Sequence, residues 1–207
     1  MPRVDGPDHE RLVGRLTQIT SSAQKMMALL AELSDTARLQ MGEPLQLVPV
    51  PTDLLEVVRQ EIAECQQTTQ QHHFTLVTSL PELIGTWDGS RLRRVFGNLL
   101  SNAIKYSPGG GEITVTLRHE AQPAGEWAVV DVRDPGLGIP AGELSRVFER
   151  FYRASNTRSI SIGSGVGLAG ARHIVELHGG TITVESTEGA GATFSVRLPL
   201  QPPQERP

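Results

Sequence analysis

The sequence predicts an α+β protein in which helices lie on one face of a mixed β-sheet, preceded by a long separate helix. Three observations lead to this fold class. Residues 74–79, 112–118 and 127–133 are β-rich runs. Two further runs, residues 181–186 and 192–199, are joined by a glycine-containing turn. Helical spacings of apolar residues separate these strands, which favours a layer of helices packed on the sheet.

The first 40 residues carry a heptad repeat. Its apolar positions alternate spacings of four and three, and they are Leu12, Leu16, Ile19, Ala23, Met26, Leu30, Leu33 and Ala37. Gly42 and Pro44 end this helix. Such a seam is buried either in a bundle with partner helices or against the helix's own domain. We favour the bundle and predict a homodimer formed through residues 1–46.

Local signals predict three helices in the rest of the chain. Asp53, with Glu56 three residues later, forms a capping-box pattern ahead of the first helix. Asp88 is the predicted N-cap of a second helix that runs to about Tyr106. The third helix covers residues 166–177 and ends at a His-Gly-Gly sequence.

Two segments between these elements are predicted to be irregular. Residues 119–126 are long enough for a hairpin loop. Residues 135–167 are rich in Gly, Ser, Arg and Asn, with a helical or aromatic patch at 144–152, which predicts a mobile lid. The predicted division of the chain is 1–46, 47–200 and 201–207, the last being a disordered tail.

Composition argues against nucleic acid and membrane as partners. The 207 residues have a net charge of −4 and no cluster of Lys and Arg. No stretch reaches the roughly 18 to 20 apolar residues of a membrane span, and no signal-peptide pattern begins the chain. Cys65 is the only cysteine, which excludes an internal disulfide and fits a reducing compartment. We therefore expect a cytoplasmic fragment, or the cytosolic end of a membrane receptor.

A polar stripe marks the helix that follows Asp88. Asn98, Asn102 and Lys105 recur at spacings of four and three, so they lie within roughly 60° of one another. They border the apolar arc, where an unpaired amide costs about 1–3 kcal/mol. Amide oxygens suit Mg²⁺ and the lysine ammonium suits phosphate, so a nucleotide–metal complex would satisfy the stripe. The alternative is an exposed polar edge of the helix.

Two glycine-rich segments suggest the other parts of a nucleotide site. Asp134 ends a strand and can accept a hydrogen bond from an exocyclic amine, while Gly136 and Gly138 let the backbone approach a planar base. An ordinary tight turn is the alternative for this segment. Residues 163–169 open a helix, whose N-terminal N–H groups and dipole favour phosphate. The segment is neither a P-loop nor a dinucleotide fingerprint, because it lacks the flanking residues of both.

Four motifs in a fixed order resemble those of histidine kinases in the GHKL ATPase superfamily. NLLSNAIKYS (98–107), DPGLGI (134–139), VFERFYR (147–153) and GSGVGLAGARHIVELHGG (163–180) are similar to the N box, first glycine box, F box and second glycine box. Residues 21–45 also resemble the second helix of that family's dimerisation and phosphotransfer domain. The resemblance implies the two-layer Bergerat ATP-binding fold and transfer of the γ-phosphoryl of Mg·ATP to a histidine.

The resemblance also implies roles for single residues of the N box and first glycine box. Asn102 would hold Mg²⁺, Asn98 would organise the metal and phosphates, and Lys105 would meet phosphate. Tyr106 would pack near the base, and Asp134 would bind the adenine amine.

The remaining matching positions would shape the loops and the lid. The nucleotide-binding loops would include Gly136, Gly138, Ile139, Gly163, Gly165, Val166, Gly167 and Leu168. Phe148 and Phe151 would fasten the lid to the domain, with a plain core role equally open for Phe148, and Arg153 would reach the γ-phosphate. We interpret His173 and His178 as structural, because neither belongs to a metal-ligand spacing.

The chain departs from the family at the phospho-acceptor. His9-Glu10 is the nearest candidate, but the sequence that follows does not match the family's acceptor motif, and no first helix fits before it. The smaller Gly170 is expected to loosen helix packing after the second glycine box. We therefore interpret the chain as a kinase fragment whose acceptor histidine lies on a missing part of the same receptor, with a response regulator receiver domain as the further partner.

Two other functions remain open at this point. A catalytically silent, nucleotide-binding dimeric module would bind ATP without transfer. Another GHKL ATPase, such as an anti-sigma-factor serine kinase, a gyrase-type or a mismatch-repair ATPase, would lack the upstream heptad helix and the FERFYR segment.

Overall fold

The structure is a computed structural model that describes residues 46–123, 125–157 and 165–201. The chain divides into two units, Met1–Gln46 and Leu47–Pro207. The predicted heptad helix and the residues after Gln201 lie outside the described residues, and so does Gly163. No helix of the described ranges is long and apolar enough to cross a membrane.

The described residues contain seven strands, three α-helices and two short 3-10 helices. In chain order they are β1 Val50–Asp53, α1 Leu54–Gln66, β2 His72–Val77, β3 Ile84–Trp87, α2 Gly89–Lys105, β4 Gly111–Gln122, β5 Gly125–Asp134, the 3-10 helices Ala141–Arg146 and Ser155–Thr157, α3 Gly167–Leu177, β6 Thr181–Ser186 and β7 Ala192–Pro199.

Five strands form one mixed sheet in the order β2-β4-β5-β7-β6. β2 pairs with β4 in parallel, and the other neighbours pair antiparallel. Val115, Val132 and Phe194 are register partners across β4, β5 and β7, and all three belong to the buried core that the helices also enter. This arrangement confirms the predicted α+β fold with a mixed sheet.

Two features of the strands differ from the prediction. β4 and β5 continue the ladder as far as the pair Gln122 and Gly125, so the predicted hairpin loop at 119–126 is wrong. The polar composition of these residues is typical of a loop, but here they form the solvent-facing ends of two long strands. β1 and β3 form a separate antiparallel pair. Neither strand is among the β-rich runs that the sequence indicated, because strands of four residues carry little periodicity.

The predicted caps of the first two helices are present. The Asp53 carboxylate accepts a hydrogen bond from the Leu55 amide at 3.0 Å. The Asp88 carboxylate accepts from the Arg91 amide at 3.2 Å and starts α2 at the predicted residue. Glu56 accepts from the Gln60 side chain at 2.9 Å, within the helix. Gly170 lies in α3, and an added Cβ there would meet nothing within 4 Å.

A buried histidine connects α2 with α3. His178 caps the C-terminus of α3, and its Nδ1 donates to the Ile174 carbonyl oxygen at 2.8 Å. Its Nε2 accepts from the backbone N–H of Asp88, the N-cap of α2, at 3.0 Å. A backbone N–H can only donate and a carbonyl can only accept, so the ring is neutral with its proton on Nδ1. The structural interpretation of His178 is thus confirmed, through a contact that the sequence did not predict.

We expect this contact to make the stability of the domain depend on pH. Burial lowers the pKa of His178 below its ordinary 6.5, although the Ile174 carbonyl and the Asp88 carboxylate oppose this and Arg91 adds to it. The unfolded chain therefore binds a proton below pH 6.5 that the folded chain resists, and the contribution of His178 is complete above pH 6.5 and is lost as the pH falls below it.

His178→Leu is expected to lower the free energy of unfolding at pH 7.5 by about 1–3 kcal/mol, because it takes the acceptor away from the buried Asp88 amide. The Ile174 carbonyl oxygen loses the ring but still accepts from the backbone N–H of residue 178 at 3.2 Å. The substitution should also reduce the loss of stability between pH 7.5 and 5.5. Urea unfolding at both pH values measures this. His73→Leu is the matched control because His73 is exposed. Equal stabilities for the two variants would contradict the prediction.

Candidate functional site

A cleft opens between α2, the loop after β5, residues 141–157 of the predicted lid segment, the start of α3 and the end of the sheet. Its lining residues are Asn102, Tyr106, Asp134, Gly138, Ile139, Val147, Tyr152, Arg153, Ala154, Thr157, Leu168, Ala192 and Phe194. The structure thus brings together residues from all four motifs that the sequence singled out.

The polar stripe of α2 borders this cleft. Asn102 and Tyr106 line it, and the apolar arc that includes Val95 and Leu99 is fully buried on the side of the core. One turn before Asn102, the Asn98 side chain donates to the Gly167 carbonyl oxygen at 3.4 Å. The polar stripe of α2 therefore also contacts the first residue of α3, through Asn98.

Lys105 is placed beside the cleft and does not line it. Its ammonium nitrogen lies 3.1 Å from the Tyr106 hydroxyl oxygen and 4.7 Å from the centroid of the same ring. This contact holds the positive charge of Lys105 next to Tyr106, which lines the cleft.

Asp134 is a buried carboxylate at the end of β5. One of its oxygens accepts a hydrogen bond from the Gly136 amide at 2.9 Å. Burial raises the pKa of Asp134 above its ordinary 3.8, and backbone amides of Gly136 and Ala192 act against this. Each further hydrogen-bond donor stabilises a buried carboxylate. The amine of a purine is a donor of this kind.

The glycines after Asp134 are required by the protein's own backbone. A Cβ at Gly136 would overlap the Tyr106 carbonyl oxygen, and one at Gly138, where φ is +64°, would overlap the Thr187 carbonyl oxygen. From the sequence, close approach of a base was the expected reason for both glycines. In the structure the protein's own packing requires them, since the loop is held between the end of α2 and the β6–β7 turn.

The start of α3 closes another side of the cleft. Leu168 lines it, and Val166 occupies the N-cap position without a side-chain hydrogen bond to the first turn. Gly165 has a φ of +70°, and its carbonyl oxygen accepts from the Phe151 amide at 2.8 Å. Val166 thus offers no side-chain acceptor to the first-turn N–H groups of α3, at a helix end that borders the cleft. The N-terminus of a helix favours an anion.

The two phenylalanines of the F box differ in role. Phe148 packs edge-to-face on Phe194, with 6.3 Å between the ring centroids, and so attaches the lid segment to the sheet. Phe151 is 76% exposed and has a φ of +64°, so the prediction that its side chain fastens the lid is wrong. Its backbone amide makes the connection, through the bond to Gly165.

Arg153 lines the cleft, and its guanidinium donates to the Thr157 carbonyl oxygen at 3.1 Å. Several other lining residues were not among the predicted site residues, notably Tyr152, Ala192 and Phe194. Tyr152 lies within the F box, and it would have been predicted if every residue of that motif had been taken as a candidate for lining the cleft. Ala192 was not predictable, because it reaches the cleft as the register partner of Asp134 in β7. Across the described residues, no cluster of three His, Cys, Asp or Glu side chains is arranged to hold a metal.

Known proteins share this fold and these motifs. Residues 87–202 match the family described as histidine kinase-, DNA gyrase B- and HSP90-like ATPase. The chain is 36% identical to the probable sensor histidine kinase TcrY of Mycobacterium tuberculosis over 94% of its own length and 40% of that protein. It is 37% identical to the sensor histidine kinase WalK of Bacillus subtilis over 67% of its length and 23% of that protein. The chain thus spans less than half of these curated relatives.

Solved structures agree with the sequence relatives. The mycobacterial sensor histidine kinase MprB superposes with a TM-score of 0.66 at 33% identity, covering 74% of this chain and 99% of that one. Full-length ShkA, solved in complex with AMPPNP, gives a TM-score of 0.68 at 25% identity over 90% of this chain and 38% of that one. The chain belongs to the histidine kinase-, DNA gyrase B- and HSP90-like ATPase family, among the sensor histidine kinases.

Proposed function

We propose that this chain is the ATP-binding catalytic portion of a two-component sensor histidine kinase. It would transfer the γ-phosphoryl group of Mg·ATP to a histidine that is not recognisable in this chain. The observation that carries the proposal is the single cleft that joins Asn102 of α2, Asp134 of β5 and Leu168 of α3. The ShkA structure in complex with AMPPNP supports an adenine nucleotide as the ligand.

Asp134 recognises the adenine amine in this proposal, and Gly138, Ile139 and Tyr106 surround the base. A buried carboxylate in the wall of the cleft gives a fixed acceptor, and the neighbouring Ala192 and Phe194 supply apolar surface. The phosphates then extend toward α3, where Gly165, Val166, Gly167 and Leu168 present backbone N–H groups. Asn98 holds this helix end in place through its bond to Gly167.

Asn102 is the proposed Mg²⁺ ligand. A single neutral amide oxygen is a weak site for Mg²⁺, which prefers six oxygen ligands and keeps several waters. The residues fit a metal that arrives with the triphosphate, because phosphate oxygens and water would supply the ligands that Asn102 does not. When bound, Mg²⁺ would neutralise charge on the transferring phosphoryl group.

Phosphoryl transfer depends mainly on position and charge, and the chain offers two mobile cations for it. Lys105 leaves the Tyr106 hydroxyl to meet the phosphates. Arg153 leaves the Thr157 carbonyl to meet the γ-phosphate. Arg153 lines the cleft, and Lys105 lies beside it on the neighbouring Tyr106 ring.

The proposed partners follow from the relatives and from the heptad sequence. Residues 1–46 form a homodimer, the acceptor histidine belongs to a further segment of the receptor, and a response regulator receiver domain takes the phosphoryl group from it. The relatives are named as sensor kinases and are more than twice as long as this chain, so a receptor with additional segments is consistent with them. The cytoplasm, where ATP and response regulators occur, is the proposed location.

Asn102→Asp is expected to weaken Mg·ATP binding about 30-fold, because a new carboxylate beside the phosphates costs on the order of 2 kcal/mol. Ser101→Asp is the matched control, since Ser101 is the exposed neighbour on the same helix. Isothermal titration calorimetry measures both. Unchanged affinity in the Asn102 variant, with a folded domain, would remove Asn102 from the site.

Transfer is tested by mixing the chain with a separate histidine kinase dimerisation domain that carries the acceptor histidine and with γ-labelled ATP. We expect label on the acceptor that is lost in acid and stable in alkali, as a phosphohistidine is, and no label with Asn102→Asp. Tight ATP binding without transfer to any acceptor domain would favour a silent module, and alkali-labile label would indicate a serine kinase.

Removal of residues 1–42 is expected to give a monomer that still binds ATP, since the heptad positions lie before Gly42 and the cleft lies after it. Light scattering gives the mass of both forms. A truncated chain that remains dimeric would show that the interface lies in the catalytic domain.

A further inference from the structure

One carboxylate organises the first half of the lid segment. Glu143, in the first 3-10 helix, accepts a hydrogen bond from the Tyr152 hydroxyl at 2.8 Å and from the Ser155 amide at 2.9 Å with the same oxygen. Its other oxygen accepts from the Ser155 hydroxyl at 2.6 Å. Three donors from two residues, nine and twelve positions further along the chain, therefore converge on one side chain.

This cluster determines where one wall of the cleft lies. Tyr152 lines the cleft, and the Arg146 guanidinium, which does not line it, lies 4.3 Å from the Tyr152 ring centroid. Partial burial and the neighbouring Glu143 carboxylate raise the pKa of Tyr152, so its hydroxyl remains a donor at neutral pH. The Tyr152 ring thus lines the cleft, while its hydroxyl is bound to Glu143 and one face of the ring contacts Arg146.

The bonds to Glu143 close a loop that carries two more wall residues. Val147 lies between Glu143 and Tyr152, and Ala154 directly precedes Ser155; both are buried and both line the cleft. Fixing the two ends of this loop removes much of its conformational freedom, which otherwise costs roughly 1–2 kcal/mol for each residue that a ligand must order. A pre-ordered wall binds a nucleotide at lower entropic cost and must open before the nucleotide leaves.

We propose that Glu143 is a positioning residue for nucleotide binding, which acts through Tyr152 and Ser155 to hold the lid wall of the cleft in place. The inference rests on the proposed function, because it takes the ligand of this cleft to be an adenine nucleotide. Its effect falls mainly on the dissociation rate, as most affinity changes within one site do.

The test measures dissociation of a fluorescent ATP analogue with Mg²⁺ by stopped-flow displacement with excess ATP. Glu143→Leu is expected to accelerate dissociation about 5- to 30-fold, equivalent to the loss of one or two hydrogen bonds to a charged group. Glu149→Leu is the matched control, because Glu149 is an exposed carboxylate of the same segment that pairs with Arg146. It should remain within about twofold of the unaltered chain, a difference too small to reflect a lost hydrogen bond.

Two conservative variants separate positioning from general damage. In Glu143→Gln the amide oxygen still accepts from Tyr152 and the Ser155 amide, and the amide NH₂ donates to the Ser155 hydroxyl, so dissociation should return close to the original rate. Tyr152→Phe keeps the ring and removes one bond, so it should give an intermediate acceleration. If Glu143→Leu fails to fold, the Tyr152→Phe result decides.

A second readout needs no nucleotide. Hydrogen exchange at the Ser155 amide, which donates to Glu143, should be slow in the unaltered chain and in Glu143→Gln and fast in Glu143→Leu. Normal nucleotide binding with an unchanged dissociation rate in Glu143→Leu and in Tyr152→Phe would overturn this inference alone. Absence of nucleotide binding by the unaltered chain would overturn the proposed function as well.

Discussion

The structure depends on the burial of one arc of α2. Leu92, Val95, Phe96 and Leu99 are almost completely buried, and each such side chain contributes about 1.5–3 kcal/mol when removed from water. This burial fixes the rotation of the helix about its own axis. Asn102, on the adjoining arc, is then held at the edge of the cleft without contributing to the core. The core and the cleft thus use different faces of the same helix, so a change on the polar face need not disturb the core.

The end of β5 is constrained in a comparable way by its neighbours. Asp134 and Ala192 are register partners, so the antiparallel pairing of β5 with β7 places a carboxylate beside a small apolar residue. The loop that follows is closed against Tyr106 on one side and Thr187 on the other, which leaves room for glycine at positions 136 and 138. The carboxylate is therefore presented on a rigid frame, and it already accepts a hydrogen bond from the Gly136 amide. This wall of the cleft is thus built from a strand end and a helix end.

Sequence alone predicted the helix ends and strands that are determined by residues close together in the chain. The start of α2 at Asp88 follows from an N-cap, the end of α3 from a His-Gly-Gly sequence, and the two last strands from alternation around a turn. Contacts between distant residues were not predictable in the same way. The closing strand β7 contributes to the cleft because of its register. Phe151 appears as an apolar residue in a motif, and nothing local indicates that its backbone is left-handed and its ring exposed.

The imidazole shared by α2 and α3 has a consequence for how the domain opens. Helix ends normally fray independently, since each loses only its own terminal hydrogen bonds. Here the last turn of α3 and the first turn of α2 have one ring as their common partner, so unwinding one end withdraws a hydrogen-bond partner from the other. The two ends are thereby joined into one cooperative unit, although 90 residues of chain separate Asp88 from His178.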